Sequence, residues 1–312
     1  MKSTALFWGT SEFAVPILQA LHSSINILAV ITQPGAPRNG KMTNSPVAEA
    51  ATSMGISCLI PNTLKDDPTL QKIFSQPIDV CLLAAYGKII PASLLRAPKH
   101  GWINVHPSLL PCYRGPSPLQ QAILDGQTSS GVTFIIMDEG VDTGPILGQY
   151  QCTVDNRETT PSLTDKLSHV ASRHLPELLE KYLNGGIQPK PQPSTDISLT
   201  KKITKEMGHI DWSRSATHID RQIRAFSPWP GAYAYLGDVR LAIKEAAPLE
   251  QRNIDSRTAP GTVCQLSTKT IAIVCGDDSL LELQTVQRSG KAAMSTKQFL
   301  LGFPSLIGKR LT

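Results

Sequence analysis

Asn104 and His106 stand two residues apart, flanked by apolar Ile103 and Val105. On a strand that spacing places both polar side chains on one face. The next residues, Pro107 to Pro111 (PSLLP), continue neither a regular strand nor a helix, so the pair belongs at a strand end. Ends of parallel strands are where open α/β sheets keep their chemistry. Asp142 comes later, after the apolar run Val132–Met137 and between Gly140 and Gly144. A carboxylate flanked by glycines just past a strand is well placed to reach a neighbouring strand end.

An amide, an imidazole and a carboxylate narrow the chemistry. The chain has no nucleophile elbow for a Ser-His-Asp set and no H-E-x-x-H. What remains is acyl transfer without a covalent enzyme intermediate. Asn104 and His106 would donate hydrogen bonds to an oxyanion. Asp142 would orient His106 and help take a proton from an attacking amine. The plainer readings are a satisfied core histidine, an Asn104 that caps the following turn, and a solvated acidic loop. The last is retained for Asp138 and Glu139.

These residues need a scaffold, and the first two thirds of the chain supply a periodic one. Apolar runs at Ala5–Trp8, Ile27–Ile31, Cys58–Ile60, Val80–Ala84, Ile103–His106 and Val132–Met137 alternate with helical patterns at Glu12–His22, Ser45–Met54, Pro68–Phe74 and Pro116–Leu124. Ser45 reads as an N-cap with Pro46 at the first helical position. This alternation predicts a Rossmann-like, mostly parallel sheet with helices on both faces. Leu147–Val154 is expected as a late antiparallel strand, and Thr160–Leu183 as a long amphipathic helix kinked at Pro176. The Pro-rich QPKPQPS at 188–194 has linker composition. From about Glu206 short β runs and turn residues predict a small β-barrel. The expected organisation is therefore a catalytic domain at 1–187, a linker at 188–205 and a second domain at 206–312.

Charge is uneven across that division. Residues 200–312 hold 16 Lys and Arg against 10 Asp and Glu, whereas residues 1–199 hold 14 against 15. A basic second domain suits a phosphate-backbone partner, although a solvated surface would read the same way. The six cysteines form no C-x-x-C, and no clustered ligand set points to a metal. There is neither G-x-G-x-x-G nor a P-loop, which argues against NAD and ATP. No signal peptide or apolar run near 20 residues is present, so a cytoplasmic protein without a membrane span is expected.

The stretch around Asn104 closely resembles the folate-dependent formyltransferases, whose signature is an Asn-x-His pair, then SLLP, then a later Asp. FWGTSEFA at 7–14 and AYGKIIP at 85–91 are similar to that family's opening turn and folate pocket. IDW at 210–212, IRAFSPWPG at 223–231, PGT at 260–262 and GKRL at 308–311 resemble the branch that formylates a charged initiator tRNA. The resemblance implies 10-formyltetrahydrofolate as formyl donor, no metal, and the α-amine of initiator methionyl-tRNA as acceptor. It implies Asn104, His106 and Asp142 as catalytic residues. Folate contacts would fall to Tyr86, Gly87, Ile89, Ser108, Leu109, Leu110 and Pro111. It casts the second domain as OB-like and tRNA-binding, in a monomer. The loop 32–44 would wedge into the acceptor end through Arg38 or Lys41, and Lys201, Lys202 and Lys205 would meet phosphates. A purine-pathway formyltransferase would share the catalytic three without needing a basic second domain. A sugar-nucleotide formyltransferase fits IDW and PWPG less well.

Overall fold

The apolar run after Thr4 forms a strand, β1 (Thr4–Gly9), buried from Ala5 onward, which pairs in parallel with a strand on each side. The computed structural model describes residues 2–35, 37–38, 41–249, 258–267 and 270–312, with the backbone alone at 37, 38, 41, 42 and 304. The chain forms two units. The first takes residues up to 118 with 128–154 and 162–201, and the second takes 119–127, 155–161 and 202–312.

In the first unit, α1 (Ala14–His22) leads to β2 (Asn26–Ile31), and a short hairpin of β3 (Pro37–Arg38) and β4 (Lys41–Met42) precedes α2 (Pro46–Ser53). Ser45 caps α2 as expected, accepting from the Ala48 N–H at 3.1 Å. Then come β5 (Cys58–Leu59), α3 (Pro68–Phe74), β6 (Val80–Ala84), α4 (Ala92–Leu95), β7 (Trp102–His106), α5 (Pro118–Leu124), which from Leu119 belongs to the second unit, β8 (Ser129–Ile136), β9 (Ile146–Thr153) and α6 (Thr160–Leu183), which joins the first unit from Ser162.

The sheet runs β5-β2-β1-β6-β7-β8-β9, parallel from β5 to β7 and antiparallel at β8 and β9. Strand order reverses between β1 and β6. α3 and α4 pack with Leu6, Trp8, Cys81 and Trp102 on one face of the sheet, whereas α6 lies on the opposite face, where Leu178 meets Gly148 beside Phe134. Trp8, Tyr86 and Trp102 form the aromatic centre of one buried cluster, with Trp8 5.1 Å from each of the other two rings.

Residues 188–201, read from composition as linker, belong to the first unit and lie hydrogen-bonded along it. Ile146 and Lys190 exchange backbone bonds, and Arg114 pairs with the strap beside Leu199. Ser198 and Thr200 exchange bonds with Tyr113, Arg114 and Ser117. Polar, Pro-containing chain needs no apolar face to stay put when its backbone groups find partners.

The second unit is built on an antiparallel sheet in the order β10-β11-β14-β13-β12: β10 (Ala232–Leu236), β11 (Val239–Leu249), β12 (Val263–Gln265), β13 (Ile271–Val274) and β14 (Leu280–Arg288). The short β15 (Met294–Ser295) is added beside β14. Two helices absent from the sequence expectation accompany it. α7 (Ala216–Ala225), capped by Ser215, buries Ala216, Ile219 and Ile223 in the same core as Leu241, Ile243, Leu281 and Leu283. α8 (Thr296–Gly302) opens on a capping box of Ser295 and Gln298. Behind α7, the buried Asp220 carboxylate binds Arg157 Nη1 at 2.8 Å and Arg224 Nε at 2.9 Å.

Candidate active site

β7 carries Trp102, Asn104 and His106 on one face. Trp102 joins the aromatic core, and the two polar residues follow it toward the strand end. Asn104 pairs in register with Leu83 of β6 and Ile135 of β8, and His106 with Thr133. Both side chains are buried, at 8% and 4% exposure. A buried amide and imidazole require partners, and the turn between β8 and β9 provides one.

That turn holds Asp142 in the left-handed region (φ 54°). Two features fix it. Asp138 Oδ1 accepts the Gly140 N–H at 3.1 Å and the Thr143 hydroxyl at 2.7 Å. Gly144 lies so close to the Ile136 carbonyl that a Cβ would come within 1.8 Å of the oxygen. Asp138 is thus solvent-exposed as expected but also ties the turn, a role its sequence setting did not show. Glu139 pairs with exposed Arg96.

The turn brings the three polar residues together. Asp142 Oδ1 accepts a hydrogen bond from Asn104 Nδ2 at 3.0 Å. Oδ2 accepts the Gly115 N–H at 2.8 Å and lies 3.5 Å from His106 Nδ1. His106 Nε2 is 2.9 Å from the Tyr113 carbonyl. Burial holds the imidazole below its ordinary value near 6.5, opposed by the Asp142 charge and the Tyr113 carbonyl. A neutral ring donates from one nitrogen only. The shorter contact makes that donor Nε2, bonded to Tyr113, and leaves Nδ1 facing a carboxylate ready to stabilise an added proton. The His106 hydrogen expected to meet an oxyanion is therefore already engaged. Asn104 has two amide hydrogens and gives one to Asp142.

The loop after β7 contributes backbone groups that no side-chain pattern reveals: the Tyr113 carbonyl (φ 60° at that residue) and the Gly115 N–H (φ 108°). The SLLP segment is pinned from below. Thr133 Oγ1 donates to the Ser108 carbonyl at 2.6 Å and accepts the Leu110 N–H at 3.0 Å, and Gln149 Nε2 donates to the Leu110 carbonyl at 2.9 Å. The Leu110–Pro111 bond is cis.

Of the residues expected to line a folate pocket, Ser108, Leu110 and Pro111 are buried in this loop, and Leu109 is half-buried. Ser108 Oγ donates to the Cys112 carbonyl at 2.6 Å. Tyr86 is buried edge-on to Trp8, and burial pushes its phenol up to about 12 despite a hydrogen-bonding contribution from Gln33. Its carbonyl accepts from Thr10. Gly87 faces open space, and Ile89 is 85% exposed. The exposed part of this set is thus Gly87 and Ile89 with half-buried Leu109, beyond the carboxyl ends of β6 and β7.

The other expected contacts lie elsewhere. The backbones of Arg38 and Lys41 pair across the β3–β4 hairpin, and their side chains lie outside the described residues. Lys201, Lys202 and Lys205 are all exposed, Lys201 ending the first unit and the other two in the second. Among the described residues no three His, Cys, Asp or Glu side chains converge to hold a metal ion, and no helix is long and apolar enough to cross a membrane.

Comparison with known proteins bears on this geometry. Residues 1–179 match the formyl transferase family, and residues 202–304 match the formyl transferase C-terminal domain. The chain is 40% identical over 299 residues to a methionyl-tRNA formyltransferase of Myxococcus xanthus, covering 95% of this chain and 94% of that protein. It is 39% identical over 310 residues to one of Gluconobacter oxydans, covering 98% and 99%. Among solved structures, an N-formyltransferase from Helicobacter canadensis, in complex with folinic acid and dTDP-3-aminofucose, superposes with a TM-score of 0.68. It is 18% identical, and the match covers 92% of this chain and 100% of that one. HypX from Aquifex aeolicus in complex with tetrahydrofolic acid superposes at 0.63 with 18% identity, covering 98% of this chain and 48% of that one. At such identities the likeness is one of fold.

Proposed function

The chain belongs to the methionyl-tRNA formyltransferase family, and we propose that Asn104, His106 and Asp142 carry its reaction. The formyl group of 10-formyltetrahydrofolate passes to the α-amine of methionine on initiator tRNA, and both enter as substrates. The observation that carries the assignment is the Asp142 carboxylate, which contacts Asn104, His106 and the Gly115 N–H at once.

In this reading the amine attacks the formyl carbon, a C–N bond forms, and the carbonyl pair moves onto oxygen. Asn104 meets that oxyanion with its second amide hydrogen. The Asp142–His106 pair takes the proton the amine sheds, and the carboxylate stabilises the resulting imidazolium. The imidazolium opposes the oxyanion by its charge, since its Nε2 hydrogen is held by Tyr113. The proton returns to the departing folate nitrogen as the old C–N bond breaks.

The residues present fit a planar, partly apolar donor. Exposed Ile89 and half-buried Leu109 offer apolar surface, and Gly87 leaves room beside them. Ser108, Leu110, Pro111 and Tyr86 act by holding that rim in shape. We assign tRNA binding to the basic second unit, with Lys201, Lys202 and Lys205 on phosphates and Arg38 or Lys41 at the acceptor end. Residues 1–187 would form the catalytic domain and 206–312 the tRNA-binding one, in a cytoplasmic monomer. Incubation with 10-formyltetrahydrofolate and charged initiator tRNA should give formylmethionine in the wild type and far less in Asp142→Ala. An amino-sugar nucleotide offered instead should stay unmodified. Its efficient formylation would favour the sugar-nucleotide reading.

A further inference from the structure

Gln192 lies in the strap after α6, in the segment whose composition reads as linker. Its side-chain amide nevertheless uses its full bonding capacity. Nε2 donates to the Asp142 carbonyl and to the Gly144 carbonyl, both at 2.8 Å. Oε1 accepts from Arg114 Nη2 at 2.7 Å and Arg114 Nε at 3.1 Å. Two carbonyls on one side and a guanidinium on the other admit only this orientation of the amide.

The bonds close a ring around the site. Arg114 sits between Tyr113, whose carbonyl faces His106, and Gly115, whose N–H binds Asp142. Gln192 joins that loop to the backbone of Asp142 itself. The Asp142 backbone occupies a left-handed conformation that a non-glycine residue adopts at a cost, so the surroundings must hold it.

We propose that Gln192 is a positioning residue for the formyl transfer: it fixes the Asp142 turn against the Arg114 loop and so sets the carboxylate on Asn104 and His106. This inference rests on the catalytic role assigned to Asp142 above. Its two donors carry the function. The acceptor oxygen, which any carboxamide or carboxylate could supply to Arg114, does not suffice.

The test is a double-mutant cycle in the full chain. Gln192→Ala should lower kcat by about tenfold or more, the scale on which supporting shells act, with KM for both substrates changed far less. Gln192→Glu keeps an acceptor for Arg114 and loses both donors, so it should lose at least as much. In an Asp142→Ala background either change should have almost no further effect on kcat, because a residue acting through Asp142 has nothing left to position. Multiplying losses in that background would show a general structural role and overturn the proposal. So would a Gln192→Glu enzyme with wild-type kcat. Should Gln192→Ala fail to fold, as judged by its thermal melt, the cycle is run with Gln192→Glu. A fully active Asp142→Ala would instead sink the catalytic reading, and this inference with it.

Discussion

Asn104 and Asp142, 38 residues apart in sequence, meet through an amide-to-carboxylate hydrogen bond of 3.0 Å beside a buried histidine. The amide is thereby oriented, and so is the carboxylate. Asn104→Ala should lower kcat by about 10²-fold or more, the scale for losing an oxyanion donor. Asp142→Asn preserves the shape but removes the charge that stabilises an imidazolium, and should lose about as much or more. Single-turnover formylation under saturating substrates measures both. Near-normal turnover in either variant would remove that residue from the mechanism.

The pH dependence follows from His106. Burial depresses its value below the ordinary 6.5, against the opposing Asp142 charge and Tyr113 carbonyl, and so favours the neutral ring. A proton-accepting role then predicts that kcat/KM falls as pH drops through that depressed value, with its acidic midpoint below 6.5. The stability sign is the same. The unfolded histidine binds its proton first, so the contribution is complete above about 6.5 and is lost as pH falls through the folded value. Asp142 opposes the depression, hence Asp142→Asn should move the His106 titration, followed by ring carbon shifts, to still lower pH. An upward move would contradict the assignment of causes.

Much of this site could be read in the sequence because its side chains obey a period. Asn104 and His106 alternate with Ile103 and Val105, and the Thr160–Leu183 helix shows its apolar spacing plainly. The rest is carried by groups without side-chain identity. The Tyr113 carbonyl and the Gly115 N–H exist in any chain, and only the fold of 107–117 aims them. Gln192 was hidden by composition, since a polar, Pro-rich segment looks the same whether free or bonded along a loop. α7 went unread because its ten residues carry only two large apolar side chains, Ile219 and Ile223. Its amphipathic face becomes decisive only against the second sheet.

In the second unit, Asp220 offers a test of stability alone. Its carboxylate, 4% exposed, binds two arginines, and Arg224 is itself nearly buried. Removing the carboxylate leaves Arg224 with a nearly buried, uncompensated charge, while half-exposed Arg157 keeps its solvent. Asp220→Ala should therefore cost about 3–5 kcal/mol, seen as a lower midpoint in urea. At temperatures where the fold persists, kcat should be little altered. A variant within about 0.5 kcal/mol of wild type, the range of ordinary surface changes, would show that solvent satisfies the arginines.

The proposed tRNA contacts would separate into a residue that senses the acceptor end and residues that only hold the backbone. Lys201, Lys202 and Lys205 are exposed cations. Each phosphate neutralised adds roughly 0.7–0.9 to the slope of log K against log salt. Lys201→Ala should therefore weaken initiator and elongator tRNA alike and flatten that slope by about one. Arg38 belongs to the β3–β4 hairpin, where its backbone pairs with Lys41. If this hairpin enters the acceptor end, Arg38→Ala should damage discrimination and leave the chemistry at His106 intact. The comparison is kcat/KM for charged initiator tRNA against a variant tRNA whose first base pair is strengthened. A wedge depends on how readily that pair opens, whereas a phosphate contact does not. The gap between the two substrates should narrow in Arg38→Ala and stay constant in Lys201→Ala. An unaltered gap in Arg38→Ala would pass the wedge role to Lys41, and an unaltered gap in Lys41→Ala as well would remove the hairpin from acceptor-end recognition.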